Sequence, residues 1–278
     1  MKLWKDVPTD EQYRFDHIMA VYAAVVNHMD KAVGDLVAGL RERGVLDDTL
    51  ILFMSDNGGN AESGPNGRTI GDPSQGKSDW FCGESWAFVE NTPFRLFKHY
   101  NHEGGIASPL IAHWPKGINV FYHGTRTGFF SRKRIEGPLC HTPAHLIDVM
   151  ATCVDVGGAR YPKEFRGRSI QPMDGVSLKN LFLGGQLGRE ALYWEHEGNA
   201  AIRVGDEKLV RFGRNGAWEL YDMRTDRTEL HDLAAAQPGK VKDLAAKWDA
   251  WAERAHVKPY PEAGDGKRDA GKKKEAKD

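Results

Sequence analysis

Two polar residues that follow a short apolar run have the chemistry of cation ligands. Residues 49–54 are mostly large apolar side chains, and Asp56 and Asn57 follow this run after Ser55. If the run is a strand, its end delivers these side chains to the edge of a sheet, where α/β folds place their ligands. A carboxylate and an amide oxygen suit a hard cation such as Ca²⁺, which takes about six to eight oxygens and so needs further ligands. The alternative is an ordinary Asp-Asn-Gly turn.

A second segment concentrates charged and polar groups before a double glycine. Residues 98–105 read Lys-His-Tyr-Asn-His-Glu-Gly-Gly. Lys98 supplies a positive charge, and His99 and His102 supply imidazole donors, so the segment suits the binding of an anion. Glu103 is a further candidate for lining such a site. The alternative is a solvated loop whose glycines make a turn before the next strand.

Helix and strand patterns alternate around these two segments. Apolar residues at three- and four-residue steps predict helices, and short continuous apolar runs predict strands that are covered on both faces. Thr9 and Gln12 match a capping box at the start of the first helix. The predicted elements are a helix over 9–44, a strand over 49–54, a long irregular loop over 58–92, a strand over 109–114 and a helix over 145–156. This order predicts an α/β fold.

The C-terminal region has a different pattern. Short strand-like runs separated by Gly-containing turns predict a small antiparallel sheet, and they occupy residues 192–195, 200–204, 208–212 and 218–222. A helix over 239–255 follows, with Leu244, Trp248 and Trp251 on one face. The predicted organisation is an α/β domain over 1–185, a small α+β subdomain over 186–260 and a disordered basic tail over 261–278.

Composition excludes several classes of partner. The net charge of −1 on 278 residues gives no field for nucleic acid. No apolar run approaches the roughly 20 residues needed to span a bilayer, and the N-terminus lacks the apolar core of a secretory signal. Cys82, Cys140 and Cys153 are far apart and form no CxxC pair, so idle thiols are expected rather than a zinc knuckle or a disulfide framework.

Five motifs in order resemble the sulfatase family, of the arylsulfatase type, in the alkaline phosphatase superfamily. Residues 52–59 look like the second metal-ligand strand of that family, and residues 93–106 look like its sulfate-binding lysine segment. Residues 109–115 resemble the strand that follows. The other two matches are a His-x-x-Asp-x-x-x-Thr helix at 145–152 and an Asp-Gly-x-Ser-Leu turn at 174–178. The similarity extends to about residue 255.

The resemblance implies a role for each candidate residue. Asp56 and Asn57 become ligands of one divalent cation, usually calcium, and Lys98 becomes the residue that neutralises a sulfate oxygen. His102 is a further catalytic candidate. His99 and His196 are candidates for binding the substrate. The implied fold is part of an alkaline-phosphatase-like sandwich with a small C-terminal antiparallel sheet and a packing helix.

One departure from the family pattern concerns the nucleophile. The family places a cysteine or serine in a Cys/Ser-x-Pro/Ala-x-Arg motif and oxidises it to formylglycine, and it has acidic metal ligands near its N-terminus. Neither feature occurs in these 278 residues. In addition, Ala107 and Ser108 stand where many relatives have an arginine after the double glycine. We therefore expect a fragment or split gene product that is inactive alone.

Three functions follow as hypotheses. The first is a sulfuric ester hydrolase, arylsulfatase-like, that acts on a sulfated small molecule or carbohydrate once the missing N-terminal half is supplied. The second is a phosphoric or phosphonic ester hydrolase of the same superfamily, since a metal and a lysine also hold phosphate. The third is a noncatalytic remnant or binding module, because two metal ligands alone hold calcium poorly. Family members are often periplasmic, secreted or lysosomal, and the sequence itself carries no address.

Overall fold

The protein divides into two compact units in a computed structural model. The structure describes residues 3–118, 139–258 and Tyr260. One unit contains Met1–Glu90 and Ala107–Leu192, and the second contains Asn91–Ile106 and Tyr193–Asp278. The first is called the N-terminal unit below and the second the C-terminal unit. The domain boundary at residue 185 stays a prediction. The two compact units divide near residue 192, and residues 91–106 belong to the C-terminal unit.

The N-terminal unit begins with the long helix that the apolar periodicity predicts. Helix α1 spans Thr9–Glu42. The prediction of a capping box at Thr9 and Gln12 was wrong, because Pro8 occupies the N-cap and no side chain caps the helix. Gln12 instead donates its amide to the carbonyl oxygens of Trp4 at 2.8 Å and Val7 at 3.0 Å. The helix start is therefore fixed to the short turn before it.

The two predicted strands of this unit form one antiparallel pair. Strand β1 spans Ile51–Met54 and strand β4 spans Leu110–His113, with Phe53 opposite Ile111. The strands are confirmed, but the described residues do not cover both faces of the pair, since Phe53 is 39% exposed. Asp56 and Asn57 follow the C-terminal end of β1, as predicted.

The region predicted as a long irregular loop contains regular structure. Strands β2 and β3 span Arg68–Ile70 and Asp79–Phe81 and pair antiparallel, and helix α2 spans Gly83–Glu90. Gly67 and Gly83 explain the local fold. Both have positive φ, and a Cβ on Gly83 would collide with the backbone of Gly67. These glycines therefore allow the hairpin and the helix to pack closely, so the loop prediction was wrong here.

The predicted helix near residue 145 is confirmed as α4, Ile147–Val156, and its polar residues hold the segment that follows. Buried Asp148 accepts a hydrogen bond from the Val176 amide at 2.9 Å and contacts the Arg189 guanidinium. Thr152 accepts one from the Leu178 amide at 2.9 Å. The helix motif at 145–152 and the turn motif at 174–178 are therefore held together by these contacts. The remaining elements of the unit are β5 (Glu164–Phe165), β6 (Arg168–Ser169) and α5 (Lys179–Phe182).

The C-terminal unit contains the predicted sheet and its packing helix. Its elements are α3 (Glu103–Ile106), β7 (Leu192–His196), β8 (Asn199–Val204), β9 (Glu207–Arg211), β10 (Trp218–Asp222) and α6 (Pro238–Arg254). The strand order is β10-β9-β8-β7. Trp248 of α6 is fully buried and donates its indole N–H to the Trp194 carbonyl at 3.0 Å. Apolar burial and this bond fix α6 to the sheet.

The two remaining predictions concern a membrane span and the C-terminal tail. No helix within the described residues is long and apolar enough to cross a membrane. The basic tail over 261–278 lies outside the described residues.

Candidate functional site

The predicted cation ligands lie in the N-terminal unit at the end of β1. The Asp56 side chain is exposed, and Asn57 is half-buried. The hydroxyl of Ser55 donates to the Asn57 carbonyl at 2.8 Å, which fixes the turn. The donor set fits a hard cation, but it offers two residues where about six to eight oxygens are needed. Within the described ranges, Asp56 does not belong to a group of three or more His, Cys, Asp or Glu side chains with ligand atoms close together.

Lys98 lies in the C-terminal unit, on a loop with unusual backbone geometry. Residues 95–100, called the Lys98 loop, include two non-glycine residues with positive φ, Leu96 at 65° and His99 at 85°. Such conformations cost about 1–3 kcal/mol each and persist only where the surroundings enforce them. Lys98 itself is half-buried. Its position therefore depends on the residues that hold the loop.

The double glycine packs against the backbone of the Lys98 loop. Gly104 and Gly105 belong to the short helix α3, and the Gly104 amide donates to the Arg95 carbonyl at 2.9 Å. A Cβ on Gly104 would collide with the Leu96 carbonyl, and one on Gly105 with the Tyr100 carbonyl. The glycines therefore allow close approach of two backbones rather than a turn.

Replacing Gly104 with alanine is expected to destabilise the protein by roughly 1–3 kcal/mol, because the new methyl group overpacks against backbone that cannot rotate away. Urea unfolding measures the change. Gly34→Ala is the matched control, since Gly34 lies within α1 with open space around it. That change should stabilise by about 0.5–1 kcal/mol. Equal effects of the two substitutions would contradict the packing role of Gly104.

A hydrogen-bond network on one carboxylate anchors both ends of the Lys98 loop. The Glu219 carboxylate accepts from Arg95 at 2.7 Å and from the Tyr221 hydroxyl at 2.6 Å. Nε2 of His102 lies 3.2 Å from the same oxygen, and His102 is 1% exposed. We call these four residues the Glu219 network. It ties residues before and after Lys98 to strand β10.

The Glu219 network makes stability depend on pH. The hydrogen bond with His102, helped by Tyr221 and Arg95, outweighs burial and lowers the pKa of Glu219 from 4.5 to about 2. The network therefore contributes its full stabilisation above pH 4.5 and loses it as the pH falls toward 2. Glu219→Gln should reduce the urea midpoint at pH 6 and much less at pH 3. Glu253→Gln, at an exposed position of α6, should leave the pH dependence unchanged. If Glu219→Gln reduces the urea midpoint equally at pH 6 and at pH 3, the pH dependence does not come from the Glu219 network.

A second buried cluster lies next to the network. Lys208 of β9 is fully buried, and its ammonium lies 2.9 Å from Glu103 and 2.8 Å from Glu229. Glu229 also accepts a hydrogen bond from the Glu103 amide at 2.9 Å. Burial raises the pKa of Glu103, but the Lys208 charge more than offsets this and the net shift is downward. These three residues, called the Lys208 triad, fix the start of α3 to the sheet.

His99 faces a different group of residues. Its Nδ1 lies 3.0 Å from the Glu197 carboxylate, and its ring stacks on His196 with centroids 5.6 Å apart. Asn199, buried at the start of β8, donates to the His99 carbonyl at 2.7 Å. Beside this group lies a cavity of about 420 Å³. Its lining residues are Phe97, His99, Tyr100, Glu197, Asn199, Phe212 and Gly213.

The structure brings part of the predicted site together. Lys98, His99, His102 and His196 all belong to the C-terminal unit, whereas Asp56 and Asn57 belong to the N-terminal unit. His99 and His196 are in ring contact. His102 is buried and bonded to Glu219, so its side chain contacts the scaffold of the loop; its catalytic role stays a prediction.

Sequence reasoning missed the residues that hold the loop. Arg95 stands three positions before Lys98, and Glu219 stands in the strand-like run 218–222, and neither was a candidate for holding the Lys98 loop. A charged residue inside an apolar strand, such as Lys208, was the available signal, because buried charges are kept only when paired.

The three cysteines are unpaired in the structure, and the expectation that they are idle thiols stays a prediction. Cys82 is half-buried beside Glu90, and burial together with that carboxyl raises the pKa of Cys82 to about 12. A thiol with such a pKa holds its proton at neutral pH, so it is a poor nucleophile. Cys140 and Cys153 are exposed.

The chain belongs to the sulfatase family. The family model "Sulfatase" matches residues 4–159, which include the Asp56-Asn57 turn, the Lys98 loop and helix α4. Members of this family usually bind a divalent metal. The family that the motifs suggested is therefore confirmed.

Individual relatives support the same placement. An uncharacterised sulfatase of Schizosaccharomyces pombe is 26% identical over 94% of this chain and 48% of its own length. N-acetylgalactosamine-6-sulfatase of Canis lupus familiaris is 26% identical over 74% of this chain and 31% of its own length. The chain thus spans about half or less of the length of these relatives.

A solved structure confirms the predicted fold class. The structure of Ps i-CgsB in complex with k-i-k-neocarrahexaose superposes with a TM-score of 0.61, at 22% identity, over 89% of this chain and 44% of that one. The α/β region and the small C-terminal antiparallel sheet with its helix are those of a sulfatase-like, alkaline-phosphatase-like fold.

Proposed function

We propose that this chain supplies the anion-binding lysine and two metal ligands of an arylsulfatase-like sulfuric ester hydrolase. The observation that carries the proposal is the Lys98 loop, whose strained backbone is held by the Glu219 network, the Lys208 triad and the double glycine. A half-buried lysine on a loop that is held by this many contacts is typical of a preorganised charge. The Lys98 ammonium binds a nonbridging sulfate oxygen and stabilises the charge that develops during transfer.

Asp56 and Asn57 hold part of one divalent cation site in this proposal, and calcium fits their oxygen donors. The cation, when bound, adds positive charge at the sulfate oxygens. Asp56 supplies both charge and an oxygen, whereas Asn57 supplies a weaker dipole. The remaining ligands come from outside these two positions, since the pair offers too few oxygens.

The nucleophile comes from residues outside these 278. No Cys/Ser-x-Pro/Ala-x-Arg motif occurs in the sequence, and the raised pKa of Cys82 makes that thiol unsuitable. We expect a formylglycine-bearing N-terminal half to provide it, either in the same polypeptide or as a partner. The 278-residue chain alone should then show no metal-dependent turnover of an aryl sulfate.

A sulfated carbohydrate is the proposed substrate class. The cavity beside His99 combines aromatic residues with polar groups, namely Tyr100 and Phe212 with Glu197 and Asn199. Aromatic faces pack against sugar rings, and polar side chains bind hydroxyl groups. Two of the similar proteins agree, since one is named for N-acetylgalactosamine 6-sulfate and the other was solved with a carrahexaose.

The test uses a protein in which this chain is joined to a formylglycine-bearing N-terminal half, assayed with a chromogenic aryl sulfate and with the matching aryl phosphonate. The sulfate should be the preferred substrate. Asp56→Ala should lower calcium affinity and activity together, and Asn57→Ala should do so more weakly. The control is Asp35→Ala at an exposed position of α1, which should change neither.

Two outcomes would overturn the proposal. Preference for the phosphonate would place the chain among phosphonic ester hydrolases of the superfamily. Hydrolysis of neither ester, with the aldehyde nucleophile verified by mass spectrometry, would favour a noncatalytic binding module.

A further inference from the structure

We infer that His99, His196 and Glu197 form a binding site for a zinc-like transition-metal ion, with a set of ligands that does not include Asp56 or Asn57. Among the residues that the structure describes, these three form a group of at least three His, Cys, Asp or Glu side chains whose ligand atoms all lie within 4.8 Å of one another. All three belong to the C-terminal unit.

The distances suit a small cation after minor side-chain rotation. The Glu197 carboxylate oxygen lies 3.0 Å from Nδ1 of His99 and 4.0 Å from Nε2 of His196. A zinc ion at about 2.0–2.1 Å from each ligand requires its tetrahedral ligand atoms to be roughly 3.4 Å apart. The observed distances bracket that separation. The His196 and Glu197 side chains are exposed, so we expect small rotations to close the site.

The backbone presents these side chains from two rigid positions. Glu197 and Gly198 form the two-residue connection between β7 and β8, with φ of 53° and 88°. Positive φ at both positions is the geometry of a type I′ hairpin turn, where Asn-Gly is usual and glutamate is uncommon. On the other side, Asn199 holds the His99 carbonyl. The fold thus places a carboxylate at a tight turn directly opposite an imidazole.

The donor set selects the type of cation. Two imidazoles and one carboxylate suit Zn²⁺ and similar transition metals, whereas Ca²⁺ and Mg²⁺ prefer oxygen ligands. Three protein ligands leave a fourth tetrahedral position open, as in catalytic rather than structural zinc sites. His99 and Glu197 also line the 420 Å³ cavity, so the open position is accessible to water or to an anionic group of a bound ligand.

The experiment titrates the metal-stripped 278-residue chain with Zn²⁺ by calorimetry and with Co²⁺ by visible absorption. We expect one zinc bound per chain and an intense cobalt spectrum typical of four-coordinate geometry. His196→Ala and the nearly isosteric Glu197→Gln should each weaken zinc binding at least ten-fold, since even outer-shell changes cost about 10–100-fold. His28→Ala, an exposed histidine of α1, should leave the affinity unchanged.

Several results would overturn the inference. The first is that the wild-type chain binds no zinc. The second is that the His196→Ala and Glu197→Gln variants bind zinc with the affinity of the wild-type chain. The third is a weak cobalt spectrum of octahedral type. The side chains of His196 and Glu197 are 53% and 61% exposed, so neither change should prevent folding, and circular dichroism verifies this. Asp56→Ala should leave zinc affinity unchanged, and a loss in that variant would show that zinc occupies the other cation site.

Discussion

Lys98→Ala in an active enzyme that contains this chain is expected to lower kcat/KM by about 10²–10³-fold. The magnitude is that of a lost preorganised donor at a developing negative charge, about 2.7–4 kcal/mol. The loss should fall mainly on kcat, because the charge on the sulfate oxygens increases toward the transition state. Steady-state kinetics with an aryl sulfate measure both parameters.

The controls separate charge from packing. Lys98→Arg keeps the positive charge but has a different geometry, so it should recover part of the activity. Lys77→Ala removes an exposed lysine of the N-terminal unit and should leave the kinetics unchanged. Near-normal kcat/KM in a folded Lys98→Ala enzyme would show that the sulfate is bound by other groups.

The elements around the site could be predicted because their patterns are local. Helix α1, strands β1 and β4 and the four strands β7–β10 all follow from apolar periodicity or from short apolar runs. The turn at Asp56 and Asn57 also follows from the end of such a run. In each case the signal lies within the element itself, so one sequence is sufficient.

The support of the Lys98 loop could not be predicted in the same way. Arg95 and Glu219 are 124 positions apart, and Lys208 and Glu103 are 105 positions apart, yet each pair is in direct contact. No periodicity encodes such pairings. The same reason explains the wrong loop prediction over 58–92, where the approach of two glycine backbones decides the fold.

His102 illustrates what residue type alone does not predict. A histidine beside a predicted anion-binding lysine suggests chemistry, but in the fold its ring is 1% exposed and bonded to Glu219. Glu103 is similar, since its carboxylate pairs with buried Lys208. The dense run of charged and polar residues therefore contains Lys98, the candidate for binding sulfate, beside side chains that bond to residues of the sheet; the catalytic role of His102 stays a prediction.

Lys208→Met is expected to reduce the free energy of unfolding by roughly 3–5 kcal/mol. The substitution keeps an unbranched apolar side chain of similar length but leaves two buried carboxylates, Glu103 and Glu229, without the cation between them. Arg227 lies 3.5 Å from Glu103, so it offsets part of the loss at one carboxylate only. Urea unfolding followed by tryptophan fluorescence measures the change, and hydrogen exchange of the β9 amides locates it.

The comparison with an exposed ion pair makes the test specific. Lys179 pairs with Asp155 at 3.2 Å, and both side chains are more than 40% exposed, so Lys179→Met should change stability by less than about 1 kcal/mol.

Neutralising the two carboxylates in a Lys208→Met, Glu103→Gln, Glu229→Gln variant should restore much of the lost stability, because the uncompensated charges are then gone. Lowering the pH should reduce the Lys208→Met deficit for the same reason, since a buried unpaired carboxylate takes up a proton readily. If Lys208→Met lowers the free energy of unfolding by less than about 1 kcal/mol, or if the two glutamines lower it further, the Lys208 triad does not fix the start of α3 to the sheet.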